Sequence, residues 1–74
     1  MSKSKKEGFL GRSMEFGEDA KRSRVRIGIS QQRLAELCGV SRPTVSRIEN
    51  GRGKITPESV EVADFLGIDI GEYI

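Results

Sequence analysis

Apolar residues recur every three or four positions along most of this chain, and no stretch alternates apolar with polar over the length of a strand. The pattern predicts helices punctuated by glycine. Ser13 is placed to cap a first helix reaching about Ile27, with Phe16, Ala20, Ser23 or Arg24, and Ile27 inward and Lys21, Arg22 and Arg26 on the opposite face. Gly28 ends it. Ser30 caps a second helix, with Arg33 where Glu or Gln would complete a capping box and Leu34, Ala35 and Cys38 on one side. Gly39 supplies a tight turn and Val40 plugs the corner. Ser41 caps a third helix with Pro43 in its first turn, where a missing N–H costs nothing. Gly51 closes it after Asn50.

A flexible basic loop, Gly51-Arg52-Gly53-Lys54, follows. Thr56-Pro57-Glu58 has the cap, N1 proline and early acid of a fourth helix start. Its stripe is Val60, Ala63 and Leu66, with Val62 and Phe65 beside it, and Gly67 stops it. Asp69-Ile70-Gly71-Glu72 resembles a capping box for a last short turn. The expected fold is all-α, a compact bundle of four to five short helices. Residues 1–12 read as a flexible basic arm holding Lys3, Lys5, Lys6 and Arg12, and residues 13–74 as the folded domain.

Composition narrows the function. Seventy-four residues make one small domain with a thin core, which a partner subunit would help. With one cysteine and no histidine there is no internal disulfide, no conventional zinc site and no His-dependent triad. The acids show no catalytic spacing, so an enzyme is not expected, nor a metal or cofactor. No apolar run is long enough for a membrane span. No apolar core follows the charged start, so no signal peptide is expected and the cytoplasm is the default. Cys38 reads as a small core residue. Charge changes the picture more. Residues 1–54 hold all 13 Lys and Arg against six acids, a balance of +7, while residues 55–74 hold five acids and no base. A basic body with an acidic end suits a polyanion on one side and a different face, open to a protein partner, on the other.

On a wheel of about 100° per residue, Val45 and Ile48 of the third helix point inward and Glu49 lies near the edge of that arc. Pro43, Ser46, Arg47 and Asn50 point outward, and Arg42 reaches forward from the flank. Two short helices joined by a turn, the second presenting arginines, form the layout that places a helix in the DNA major groove. Arg42 and Arg47 are the candidate base readers, because a guanidinium matches guanine O6 and N7 together. Pro43 and Thr44 fit thymine methyls. For Arg47 a phosphate contact weighs about as much as a base contact. Backbone contacts are expected from Gln31 and Gln32, at a helix N-terminus that favours anions, and from Ser46, Asn50, Arg52 and Lys54.

The run SQQRLAELCGVSRPTVSRIENG resembles the helix-turn-helix of the phage-repressor family, the Cro/lambda-repressor or xenobiotic-response-element type. The likeness spans roughly Phe16 to Tyr73. It implies a lambda-repressor-like five-helix bundle whose second and third helices form the reading unit. It implies a phosphate contact for Gln31, base-facing positions at Arg42, Pro43 and Arg47, and a backbone contact for Asn50. It also implies an ion pair between Arg24 of the first helix and Glu49. That pair explains an acid in a DNA-facing helix and assigns both residues to architecture. Three departures stand out. Pro43 cannot hydrogen-bond a base, Ser23 replaces a larger apolar residue, and the fifth helix is cut short at Ile74.

The expected function is a sequence-specific DNA-binding transcriptional regulator, a repressor working as a homodimer on a near-palindromic site and residing with the nucleoid. Its two recognition helices would lie about 34 Å apart. Phage regulators, restriction-modification controllers and self-repressing antitoxins of toxin–antitoxin pairs are all small stand-alone proteins of this kind. The competing class is a protein-interaction module that keeps the fold without binding DNA.

Overall fold

The computed structural model describes the backbone of residues 2–74 and the side chains from Arg12 onward. Helix α1 covers Ser2–Ile27, α2 Gln31–Cys38, α3 Arg42–Glu49 and α4 Pro57–Leu66, and a 3-10 turn closes the chain at Ile70–Tyr73. No strand occurs among the described residues. The side chains of Lys3, Lys5, Lys6, Phe9 and Leu10 in the expected basic arm lie outside the described residues.

Local chemistry sets the short helices. Ser30 Oγ accepts from the Arg33 N–H at 3.0 Å and Ser41 Oγ from the Thr44 N–H at 3.3 Å. Each satisfies one of the donors a helix start leaves over. Between them Gly39 takes a left-handed φ of 73°, and the Val40 N–H returns to the Ala35 carbonyl at 3.0 Å. Only a residue without a Cβ adopts this conformation cheaply, so Gly39 fixes the elbow between α2 and α3. At the start of α4 the Thr56 N–H donates to Ser59 Oγ at 3.1 Å.

Phe16, Leu34, Val45 and Val62, one from each helix, are the largest fully buried side chains. Ala20, Ala35, Ile48 and Ala63 complete the cluster, and Val40, Cys38, Leu66 and Tyr73 pack around it. Burial of apolar surface in this cluster favours folding by about 25 cal/mol per Å². Helix α1 crosses α3 and α4, α2 lies against α3 and α4, and the 3-10 turn docks on α1.

Four expectations need correction. Ser13 caps nothing; it lies within α1 and is buried. The helix is continuous from Ser2 to Ile27, so no helix start falls at Ser13. Ile27 is 52% exposed, and the inward positions near this end of α1 fall to Ser23, which is buried, and Arg24, which is half-buried. In α4 the buried stripe is Ser59, Val62 and Ala63; Val60 is half-buried and Phe65 exposed. Of the expected stripe Val60, Ala63 and Leu66, only Ala63 is fully buried, because Ser59 is small enough to turn inward and Val62 takes the central position. Cys38 is half-buried, at the rim of the core.

The last residues form a 3-10 turn instead of a fifth α-helix. Asp69 Oδ1 accepts the Gly71 N–H at 3.0 Å. Tyr73 then meets Phe16 edge to face, ring centroids 5.4 Å apart at 63°, and its hydroxyl donates to the Asp19 carboxylate. This hydrogen bond, burial and nearby carboxylates push the Tyr73 phenol up to about 12.

Candidate nucleic-acid interface

Two capped helices joined at the Gly39 elbow present α3 with one side against the core and the other toward solvent. Val45, Ile48 and Glu49 are buried. Arg42, Pro43 and Asn50 are exposed, and Thr44, Ser46 and Arg47 are half-buried. The inward and outward sets are those the wheel predicts.

Pro43, Ser46, Arg47, Asn50 and Arg52 line one open depression of about 390 Å³. The structure thus gathers five of the ten expected contact residues into a single surface. Asn50 Nδ2 donates to Ser46 Oγ at 3.4 Å, which ties the two small polar groups of this surface together. Among the described residues, Arg42, Arg47 and Arg52 carry no ion pair, while Arg12, Arg22, Arg24 and Arg33 each have an acidic partner. Lys54 is exposed in the loop between α3 and α4. The Thr44 hydroxyl lies 2.8 Å from Ser41 Oγ, so its polar group is engaged within the cap.

Behind this face lies the expected ion pair. Arg24 Nε donates to Glu49 Oε2 at 2.6 Å and its Nη2 to Oε1 at 3.1 Å, a forked contact between α1 and the end of α3. The side chains are 11% and 2% exposed. A third guanidinium nitrogen donates to the Ile29 carbonyl at 2.8 Å, so Arg24 also holds the link between α1 and α2. The hydrogen bond to Glu49 raises the Arg24 pKa, and burial opposes it.

Gln31 is where the sequence misses a partner. Its Nε2 donates to Glu49 Oε1 at 3.0 Å, making it the third member of the Arg24–Glu49 cluster. An amide nitrogen has two hydrogens, so one N–H is left for another acceptor. The outward amide of the pair, Gln32, donates along its own helix to Glu36 at 3.2 Å. The 18-residue separation of Gln31 and Glu49 carries no local signal; only the folded elbow brings them together.

The described residues hold no group of three or more His, Cys, Asp or Glu fit for a metal. None of their helices is long and apolar enough to cross a membrane. Burial, then the charge of Glu61, raises the Cys38 thiol pKa, which disfavours the reactive thiolate.

The sequence profile of the family described as helix-turn-helix matches residues 21–73. The fold is similar to the crystal structure of the restriction-modification controller protein C.AhdI from Aeromonas hydrophila. The TM-score is 0.71 at 27% identity, over 88% of this chain and 96% of that one. No curated protein matches the chain. With the profile covering α2, the elbow and α3, and the whole bundle shared with a controller protein, the chain belongs to the helix-turn-helix family of the XRE, Cro-like type and is a DNA-binding transcription regulator.

Proposed function

We propose that the protein is a sequence-specific repressor that inserts α3 into the major groove, as a homodimer on a near-palindromic operator. The observation that carries this is the outward face of α3. It presents arginines with no ion pair among the described residues, beside Asn50, Ser46 and Arg52, with its one acid turned inward onto Arg24. A purely protein-binding surface has no need of such a face.

In this reading Arg42 and Arg47 address base edges, while Pro43 and Thr44 meet thymine methyls. Gln31, Gln32, Ser46, Asn50, Arg52 and Lys54 address phosphates and set register. The spare N–H of Gln31 suits a phosphate oxygen, because Glu49 holds the other. Residues 13–74 form the binding unit, and the basic residues of 1–12 add attraction to any duplex. Of the small regulators with this layout, a restriction-modification controller is the role we favour, supported by the likeness to C.AhdI over nearly its whole length. The protein would act at the nucleoid, in the cytoplasm.

Selection of bound sites from a random duplex pool, with sedimentation analysis of the protein–DNA complex, tests the proposal. The expected result is an enriched site with two related half-sites about 10 base pairs apart and two chains per duplex. Enrichment of no site, or of a half-site bound by one chain, refutes the sequence-specific dimer.

A further inference from the structure

Helices α1 and α3 cross with no side chain between them at Gly17. A Cβ there would sit 2.3 Å from the Ile48 carbonyl oxygen and 2.9 Å from that of Glu49. Both are main-chain atoms of α3 and cannot rotate away. One turn earlier on α1 the roles reverse. Gly51, just past α3, has φ +68°, and a Cβ on it would lie 2.7 Å from Met14 Cα and 2.8 Å from Met14 Cγ. Helix α1 thus offers a glycine to the backbone of α3, and the turn after α3 offers one to the backbone of α1. Arg24, two turns beyond Gly17 on the same side of α1, grips the Glu49 carboxylate. The C-terminal end of α3 is therefore pinned to α1 at three successive levels, whereas its N-terminal end depends on the Ser41 cap and the elbow.

That asymmetry makes the seam a pivot. Arg42 lies about 10 Å up-helix from Glu49, at roughly 1.5 Å per residue. A side chain at Gly17 would have to push α3 back by about 1 Å to reach ordinary contact distance, and recognition geometry tolerates only about 0.5 Å. We propose that the Gly17–Gly51 seam sets the depth and angle at which α3 is presented, so that Gly17 is a positioning residue for base reading although it lies on the inward side of that helix. The proposal rests on the insertion of α3 into the groove. Contacts to phosphate are less demanding of geometry than contacts to base edges, so displacing α3 reduces discrimination before it reduces attraction to DNA in general.

The experiment titrates wild type, Gly17→Ala, Met14→Ala and Val62→Ala against the selected operator and a random duplex, each below its own melting temperature. Gly17→Ala is expected to bind the operator about 10-fold more weakly while holding random DNA within about 2-fold. Met14→Ala removes only the side chain resting on Gly51, from a residue 58% exposed, and is expected to lose about 3-fold on the operator alone. Val62→Ala destabilises the core away from the seam and should leave the operator-to-random ratio unchanged. In an Arg42→Ala background the Gly17 effect should shrink, because the two act through one contact. If Gly17→Ala does not fold, Met14→Ala and its cycle with Arg42→Ala decide the matter. Unchanged ratios in the seam variants beside a discriminating wild type, or an equal fall in Val62→Ala, overturn the positioning role alone. A wild type that prefers no duplex overturns the sequence-specific reading and the seam role with it.

Discussion

The inner and outer faces of α3 treat charge in opposite ways. Inside, Glu49 is buried, forked by Arg24 and touched by Gln31. Outside, Arg42, Arg47 and the neighbouring Arg52 carry no ion pair among the described residues. One helix of eight residues thus hides its negative charge within the fold and shows its positive charges to solvent. The difference separates architecture from recognition. Charges clamped inside hold the elbow, while charges kept outside remain available to a polyanion.

The largest test of this division is Glu49→Ala. Leaving Arg24 buried without its partner should cost about 3 kcal/mol, enough to lower the melting temperature by more than about 10 °C in a domain of this size. A thermal melt matching wild type would show that the inner face does not hold the fold. Arg42→Ala should do the reverse. It is expected to melt like wild type but to lose about 2 kcal/mol on the operator, with discrimination relaxed at a single base pair. Equal losses on operator and random duplex would remove Arg42 from base reading.

Tyr73 sharpens the contrast on α1, where the Asp19 carboxylate takes a neutral phenol donor beside its exposed ion pair with Arg22. The phenol pKa is raised from 10.0 to about 12 in the folded protein. Its contribution to stability is therefore complete below pH 10 and is lost as pH rises from there through about 12. Tyr73→Phe should cost about 1 kcal/mol at neutral pH and flatten that alkaline decline. Denaturant titrations across the window would detect it, and an undiminished decline in the variant would assign the effect to other groups. The smallest effect is expected of Arg52→Ala. It should weaken binding to every duplex alike and reduce the slope of log affinity against log salt by about 1. A loss confined to the operator would move Arg52 from the backbone set to the base-reading set.

Much of the candidate site was legible because its signals are local. Ser30, Gly39, Ser41 and Pro43 act within a turn of their own position, and they set the boundaries of α2 and α3. Once those boundaries stand, the wheel places Val45 and Ile48 inside and Arg47 and Asn50 outside. The Arg24–Glu49 pair, 25 residues apart, was visible only through resemblance to a family. For its third partner, Gln31, the sequence suggests a phosphate contact and gives no sign of Glu49. The start of α1 and the stripe of α4 escape sequence reasoning for a related reason. A serine reads as a cap or a loop by its chemistry, yet Ser13 is buried inside α1, and Ser59 is buried while its hydroxyl serves the α4 cap.

From the order of residues alone came the helical class, the elbow, the polarity of α3 and the split between a basic body and an acidic end. Each depends on periodicity, capping or composition, which act over a few residues or over none. Packing alone decided that Gly17 lets α3 lie against α1, that Gln31 shares Glu49 with Arg24, and that Tyr73 reaches back to Asp19. Those contacts join groups 18 to 54 residues apart, and no local rule encodes a distance that exists only after the chain has closed on its core.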